Sequence, residues 1–405
     1  MPALERSLLL SGLMATLSGI GLSRFAYTAL MPQLVQAHWF SAADVAYLGA
    51  LNLLGYLLGA LAAALAAQRW GALRVLALCW WVVALSFMAC AQPGPLWWWA
   101  SWRLLAGAAG AALMVLGPSV ALAAVPPARR AALGPLVFCG VGLGALASAT
   151  LVPLLAQWQL GGAWMALAMV AALTAALGVR STRQLVAATP APRSATAAAD
   201  VAPAPLQRTT RAPVALVLLA YALDGFGFVP HTVFWVDYLQ REQAWGSGYA
   251  GLQWALFGLG AMLGPWGVAR SAHRWGWWRT AVGGYALKAC AIALPLCSTH
   301  WLGHALSGVV VGALSPGMAA ITSGYLMQLV GAHAHPRWWG AATAVFALLQ
   351  AVAGGVMAHL AVRSGSYQPL FALGAGALLA STCLVAAAHR HTTPSTRPQF
   401  ERNPP

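Results

Sequence analysis

SGLMATLSGIGLSRFAYTALMPQLV, residues 11–35, is the stretch whose reading decides the fold. It is an apolar run long enough to cross a bilayer, and Arg24 sits two-thirds of the way along it. A charge at that depth costs about 2.5–3.5 kcal/mol on an insertion scale, so something must compensate it. At helical spacing Gly12, Thr16, Gly19, Ser23 and Tyr27 form one small and polar stripe, with Arg24 and Thr28 a step to its side. Leu13, Leu17, Ile20 and Leu22 occupy other faces. The stripe is therefore expected to look toward protein or water and not toward lipid.

The rest of the chain agrees with a membrane setting. Apolar residues make up 60% of 405 positions and charged residues 7%, against about 45–50% and about 25% in soluble chains. Counting apolar segments of about 20 residues places helices at 8–32, 44–66, 74–91, 96–122, 132–155 and 163–180, then at 213–236, 247–268, 280–298, 301–326, 338–360 and 368–388. This is the pattern of an all-α membrane protein with twelve transmembrane helices in two six-helix halves. A formal charge of +15 would suggest nucleic acid in a soluble chain, but its distribution excludes that reading. With the N-terminus inside, all 22 Lys and Arg except Arg24, Arg103, Lys288, Arg241 and Arg363 fall in inner loops, linker and tails. That asymmetry puts both termini in the cytoplasm. The six cysteines show no CxxC or His-paired spacing, so no metal site is expected, and the first segment reads as an uncleaved helix, not a signal peptide.

Residues 181–212, rich in Ala, Pro, Thr and Arg, read as a cytoplasmic linker between an N-terminal half (1–180) and a C-terminal half (213–388), with 389–405 as a cytoplasmic tail. An internal repeat crosses that linker. Gln68-Arg69-Trp70-Gly71-Ala72-Leu73-Arg74 and His273-Arg274-Trp275-Gly276-Trp277-Trp278-Arg279 share RWGxxR, and Gly55 and Gly59 recur as Gly260 and Gly264 in the same register. GLSRFAYT (21–28) aligns with GFGFVPHT (225–232), and Arg103 to Gly107 aligns loosely with His304 to Gly308. Ordered matches of this kind argue for two parallel halves related about an axis along the membrane normal.

Two such halves, a long linker and basic glycine-containing loops after helices 2 and 8 resemble the major facilitator superfamily. Arg103-x-x-x-Gly107-x-x-Gly110 resembles its helix-4 motif, while SRFAYTALMPQLV (23–35) and CGVGLGALAS (139–148) are similar to its bacterial YbfB/YjiJ-type branch. Family members often carry an acidic residue just before the loop arginine; here those positions are Gln68 and His273. The resemblance implies a central cavity lined by helices 1 and 4, a peripheral helix 9, and gating loops at Arg69, Gly71, Arg74, Arg274, Gly276 and Arg279.

Ionisable groups within the predicted spans define the functional search space. Arg24 and Arg103 are expected at similar depth, where two cations would attract an anionic substrate or a carboxylate of the other half; the bland alternative is that each ties backbone carbonyls. Asp224 lies near the midplane on a stripe with Tyr221, Phe228, His231 and Trp235, and a lone carboxylate there is either paired or protonated, which suits proton coupling. Arg24, Arg103, Tyr27, Ser23, Tyr221 and His304 are the expected substrate contacts, with Asp224 and His231 the expected proton-coupling groups. Lys288 is expected to snorkel from a peripheral helix, and His359 lies near an outer helix end. Gly140, Gly142 and Gly144 read as helix packing, not a dinucleotide loop. Gly117-Pro118 and Ser315-Pro316-Gly317 read as kinks, and the tryptophans at 97–99, 277–278 and 338–339 as interfacial belts.

These readings lead to a monomeric secondary transporter of the bacterial inner membrane. It moves a small, anionic organic solute by alternating access with proton coupling, and it has no cofactor and no enzymatic activity. An uncoupled facilitator and an intramembrane enzyme using a helix histidine are the rivals, and no Walker-type loop is present for ATP-driven pumping.

Overall fold

In hydrocarbon every backbone N–H and C=O must be satisfied within its own segment, which leaves helices as the economical solution for this composition. Among the described residues every regular element of the computed structural model is helical. It describes residues 3–123, 125, 127–156, 158–188 and 208–390. Helix α1 (Ala3–Thr16) passes through a π-helical turn (Leu17–Leu22) into α2 (Phe25–Gln36). Then come α3 (Ala42–Trp70), α4 (Ala72–Ala89), α5 (Leu96–Ala123), α6 (Pro127–Ala156) and α7 (Leu160–Ala188). The later part holds α8 (Arg208–Gly227), a π turn (Pro230–Phe234), α9 (Trp235–Asp237), a second π turn (Tyr238–Glu242), α10 (Ser247–Cys297), α11 (Trp301–Ser364) and α12 (Gln368–Arg390).

Among the described residues eleven helical stretches are long and apolar enough to cross a membrane. The longest, 51 residues of α10, is interrupted at Gly276 (φ 78°, ψ 163°), and α11 is interrupted in the same way at Gly331 (φ 76°, ψ 167°). Left-handed backbone of this kind is where a Cβ is costly and glycine is favoured. Helix α7 runs past the expected end at 180 to Ala188, and Thr182 is buried against Ser11, hydroxyl to hydroxyl at 2.6 Å. Residues 189–207 of the expected linker, and the expected tail beyond 390, lie outside the described residues.

Large apolar side chains remain on the outside: Leu65 is 69% exposed, Leu78 61% and Leu173 60%. In water such a girdle would drive aggregation; facing acyl chains it needs no cover. Inside, helices approach through glycine. A Cβ on Gly55 would stand 2.1 Å from the Leu104 carbonyl oxygen, on Gly59 2.1 Å from that of Ala108, and on Gly107 2.0 Å from that of Asn52. The same contacts recur in the later part: Gly260 against Val309 (2.2 Å), Gly264 against Ala313 (2.0 Å) and Gly312 against Phe257 (2.1 Å). In this register the counterpart of Arg103 is Gly308, which replaces the looser sequence pairing of Arg103 with His304. The Gly140, Gly142 and Gly144 series also packs helices, with a Cβ on Gly142 only 2.3 Å from the Gly258 carbonyl.

Gly107→Ala must push α5 away from α3, whereas Gly376, which has nothing within 4 Å of an added Cβ, is open. We expect Gly107→Ala to destabilise by about 1–3 kcal/mol and Gly376→Ala to leave the thermal unfolding of detergent-solubilised protein unchanged. Equal melting curves for both variants would contradict the packing described.

Candidate functional site

A cavity of about 1660 Å³ runs between the helices. It reaches the end of the bundle that carries His273 to Arg279, Pro336 and His389, and it ends at Ile20, Arg24 and Phe25 on one side and Phe228 on the other. Beyond those residues the bundle is shut: Thr28 donates its hydroxyl to the Thr232 carbonyl at 2.6 Å, Tyr27 donates to the Val45 carbonyl at 2.8 Å, and Gln33 meets Gln240 at 3.3 Å. The wall is aromatic. Tyr221 stacks on Phe346 (centroids 4.6 Å apart), with Trp339 and Phe228 continuing the row at 5.7 and 5.5 Å. Neither Asp nor Glu stands among the described residues that line the cavity.

Arg24 is placed at the closed end by the backbone around it. The π turn at Leu17–Leu22 breaks the α ladder, and Arg24 takes φ −110° at the start of α2. Its side chain is 5% exposed, lies 4.6 Å over the Tyr56 ring and donates from both terminal nitrogens to the Gln350 amide oxygen at 2.7 and 2.8 Å, in the amide orientation that satisfies both ends of Gln350. Its Nε has no hydrogen-bond partner among the described residues.

Arg103 does not share the cavity with Arg24. Tyr27 N–H bonds the Arg24 carbonyl at 3.0 Å, so the Ser23 carbonyl is released from the helix. Arg103 Nη1 donates to that carbonyl at 3.1 Å, Asn52 Nδ2 at 3.4 Å, and the guanidinium lies 4.0 Å over the Tyr27 ring. Ser23, Tyr27 and Arg103 thus form the packing behind Arg24, a correction to their expected place as cavity contacts. Of the expected substrate residues, Arg24 and Tyr221 line the cavity.

Asp224 and Lys288 overturn two further expectations. Lys288 Nζ donates to Asp224 Oδ1 at 2.6 Å, with both side chains almost wholly buried, and the ammonium lies 4.9 Å from the Phe228 ring centroid. Lys288 therefore does not snorkel, and the partner of Asp224 is a lysine of α10, not Arg24 across the cavity. Sequence could have shown this: Ala281, Gly284, Tyr285, Lys288 and Ala291 share one buried stripe, while Leu287 faces out at 53% exposure.

His231 and His304 also sit away from the cavity. His231 Nε2 meets Ser307 Oγ at 2.6 Å, and since that hydroxyl already donates to the Ala291 carbonyl (2.6 Å), Nε2 is the donor. His231 stacks on Trp235 at 4.5 Å. His304 Nδ1 meets the Tyr249 hydroxyl at 2.7 Å and its ring stands edge-on to Trp235. His304 is thereby a packing residue of the Trp235 cluster, correcting its expected role as a substrate contact.

A second buried carboxylate was missed because the predicted helix stopped at 236. Asp237 is fully buried, takes both Nε and Nη2 of Arg241 and accepts from the Tyr367 hydroxyl. Burial, with the Asp237 carboxylate beside it, pushes the Tyr367 hydroxyl well above the usual tyrosine range, so it stays a donor. The i, i+4 spacing of Asp237 and Arg241 was the available signal.

Of the expected gating loops, Arg274, Gly276 and Arg279 line the cavity mouth, while Arg69 and Arg74 are exposed. Gly71 (φ 85°) and Gly276 (φ 78°) share a left-handed conformation, and Arg69 and Arg274 pair with Trp70 and Trp275. The tryptophans divide: Trp97 is 67% exposed, Trp99 is buried, and Trp277, Trp278 and Trp339 line the cavity.

Residues 16–386 match the family described as the uncharacterised MFS-type transporter YbfB. No curated protein matches the sequence. Among solved structures the chain is similar to a bacterial homologue of the iron transporter ferroportin in an outward-facing state, with 14% identity, 96% of this chain and 99% of that chain covered, and a TM-score of 0.63. It is also similar to a point variant of the nucleoside transporter NupG, with 16% identity, coverage of 96% and 100%, and a TM-score of 0.68. At such identities the likeness is one of fold.

Removing one member of the Asp224–Lys288 pair leaves an uncompensated buried charge, at a cost of about 3–5 kcal/mol. Asp224→Asn and Lys288→Met should each lower the unfolding temperature, and the double variant should recover most of the loss. A double variant as unstable as the two single losses added together would show that the two charges do not compensate each other.

Proposed function

The chain belongs to the MFS-type transporter family described by YbfB, and on that premise we propose that it is a secondary transporter carrying a small organic anion by alternating access. The observation that carries this reading is the cavity: an aromatic wall, no carboxylate among its described lining residues, and Arg24 at its closed end. A guanidinium that faces a cavity without a carboxylate partner offers its fork of donors to a planar anion. The aromatic rings supply apolar contact to the body of the solute.

In this reading α10 and α11 each contribute two crossings, separated at Gly276 and Gly331, which brings the total to twelve. The recurrence of the Gly55, Gly59 and Gly107 contacts at Gly260, Gly264 and Gly312 supports two six-helix halves on either side of residues 189–207, the first ending with α7 at Ala188 and the second beginning with α8 at Arg208. The distribution of Lys and Arg supports both termini in the cytoplasm of a bacterial inner membrane. The cavity mouth at Arg274 to Arg279 then opens inward, and the halves rock about the layer of Thr28 and Thr232. The loops at Gly71 and Gly276 flank the inner mouth on the two halves.

Asp224 is the proposed proton-coupling group, with Lys288 as the cation that shares its charge and His231 as a neighbour two turns on in the same membrane-length stretch. The completeness of that ion pair, buried and off the cavity wall, favours one rival: an uncoupled facilitator in which the pair is structural.

For reconstituted vesicles, Arg24→Ala should abolish uptake of the transported anion and Arg24→Lys should reduce it, because an ammonium keeps the charge and loses the planar fork. Wild-type uptake by Arg24→Ala would refute the anion reading. The Asp224→Asn, Lys288→Met double variant should lose accumulation driven by a pH gradient yet keep exchange between preloaded vesicles. Retained accumulation would establish the facilitator reading or move coupling elsewhere.

A further inference from the structure

Four residues of α11, Trp339, Thr343, Phe346 and Gln350, are spaced 4, 3 and 4 apart and all line the cavity, so one helix face carries an aromatic track that ends in an amide. Gly225 lets this face come close, since a Cβ there would stand 2.5 Å from the Phe346 carbonyl oxygen. The track leads from Trp339 past Tyr221, Phe346 and Phe228 to the place where Gln350 caps Arg24. That cap is a single neutral oxygen accepting from both terminal nitrogens of the guanidinium, a weaker partner than a carboxylate, which accepts the same fork with two charged oxygens.

Resting on the anion reading above, we infer that Arg24 and Gln350 form a self-capped receptor for a carboxylate carrying an aromatic body, with Gln350 as its specificity-determining residue. In the empty site the amide presents its oxygen to Arg24, which caps both terminal nitrogens without a fixed charge. When a carboxylate takes the guanidinium fork, the amide rotates and presents its NH2 as a third donor to the same anion. An amide serves both states, because it accepts through its oxygen and donates through its NH2. Glutamate at this position would hold Arg24 as a permanent ion pair and repel the ligand, and methionine would neither cap the cation nor donate. The aromatic row selects the body of the ligand, because ring-on-ring contact continues from the mouth to the receptor.

The test uses full-length protein in detergent and three probes, phenylacetate, benzenesulfonate and phenylacetamide, with affinity read by calorimetry and folding by thermal unfolding. Phenylacetate should bind wild type more tightly than benzenesulfonate, and phenylacetamide should not bind. Gln350→Glu should melt at or above the wild-type temperature while losing phenylacetate affinity by at least about tenfold; Gln350→Met, the control for simple loss of the amide, should lose less. If Gln350→Glu binds phenylacetate within about twofold of wild type while Arg24→Ala loses it, the capping role is wrong and the anion reading stands. Preference for benzenesulfonate refutes the carboxylate class alone. Binding of phenylacetamide in place of either anion refutes the anion reading with it, and binding of none of the three overturns the proposed receptor.

Discussion

A charge removed from water needs a partner, and in a chain this apolar that requirement organises the interior. Three buried cations and the half-buried Arg241 meet it in four ways. Lys288 has Asp224, and Arg241 has Asp237 and Tyr367. Arg103 has a backbone carbonyl and a tyrosine ring. Arg24 has the Gln350 amide and the Tyr56 ring. The first two are closed accounts of opposite charge, and the third is neutralised by fixed backbone. The fourth alone combines a cavity surface with a partner that can turn away.

The second constraint is steric. Glycines of α3 and α5, and those of α10 and α11, bring backbones so near that a methyl group would meet a carbonyl oxygen at 2.0–2.2 Å. Without a hydrophobic force between helices in lipid, such contacts are what hold neighbours together. Glycine brings other helices together as well: Gly142 lies against Gly258, and Gly354 lies against Ala50 and Leu53.

Much of this was legible in the sequence, because the period of apolar residues and the placing of Lys and Arg follow directly from bilayer physics. Arg24 and Tyr221 declared themselves as polar groups on inward stripes. Arg103 was legible as buried, though not as bonded to Ser23, because that bond needs a carbonyl which only the local break in helix 1 sets free. Lys288 was obscured by its assignment to a peripheral helix, although its buried neighbours share its stripe. Asp237 was lost because the expected helix ends at 236, six residues short of the helical stretch that runs to Glu242. Gln350 carries no charge and breaks no pattern; its meaning comes from what stands opposite it in space.

The π turn at Leu17–Leu22 has a consequence for comparing this chain with its relatives. Such a turn amounts to one extra residue in the helix, and one residue is about 100° of rotation. Everything beyond it, Arg24 included, is phased by that insertion. A relative that preserves the arginine but lacks the extra residue would aim it at a different neighbour, while one that has moved the arginine by a single position and also lost the insertion would aim it at the same cavity. Along this segment a one-residue gap in an alignment therefore carries as much chemical meaning as the identity of the side chain it displaces.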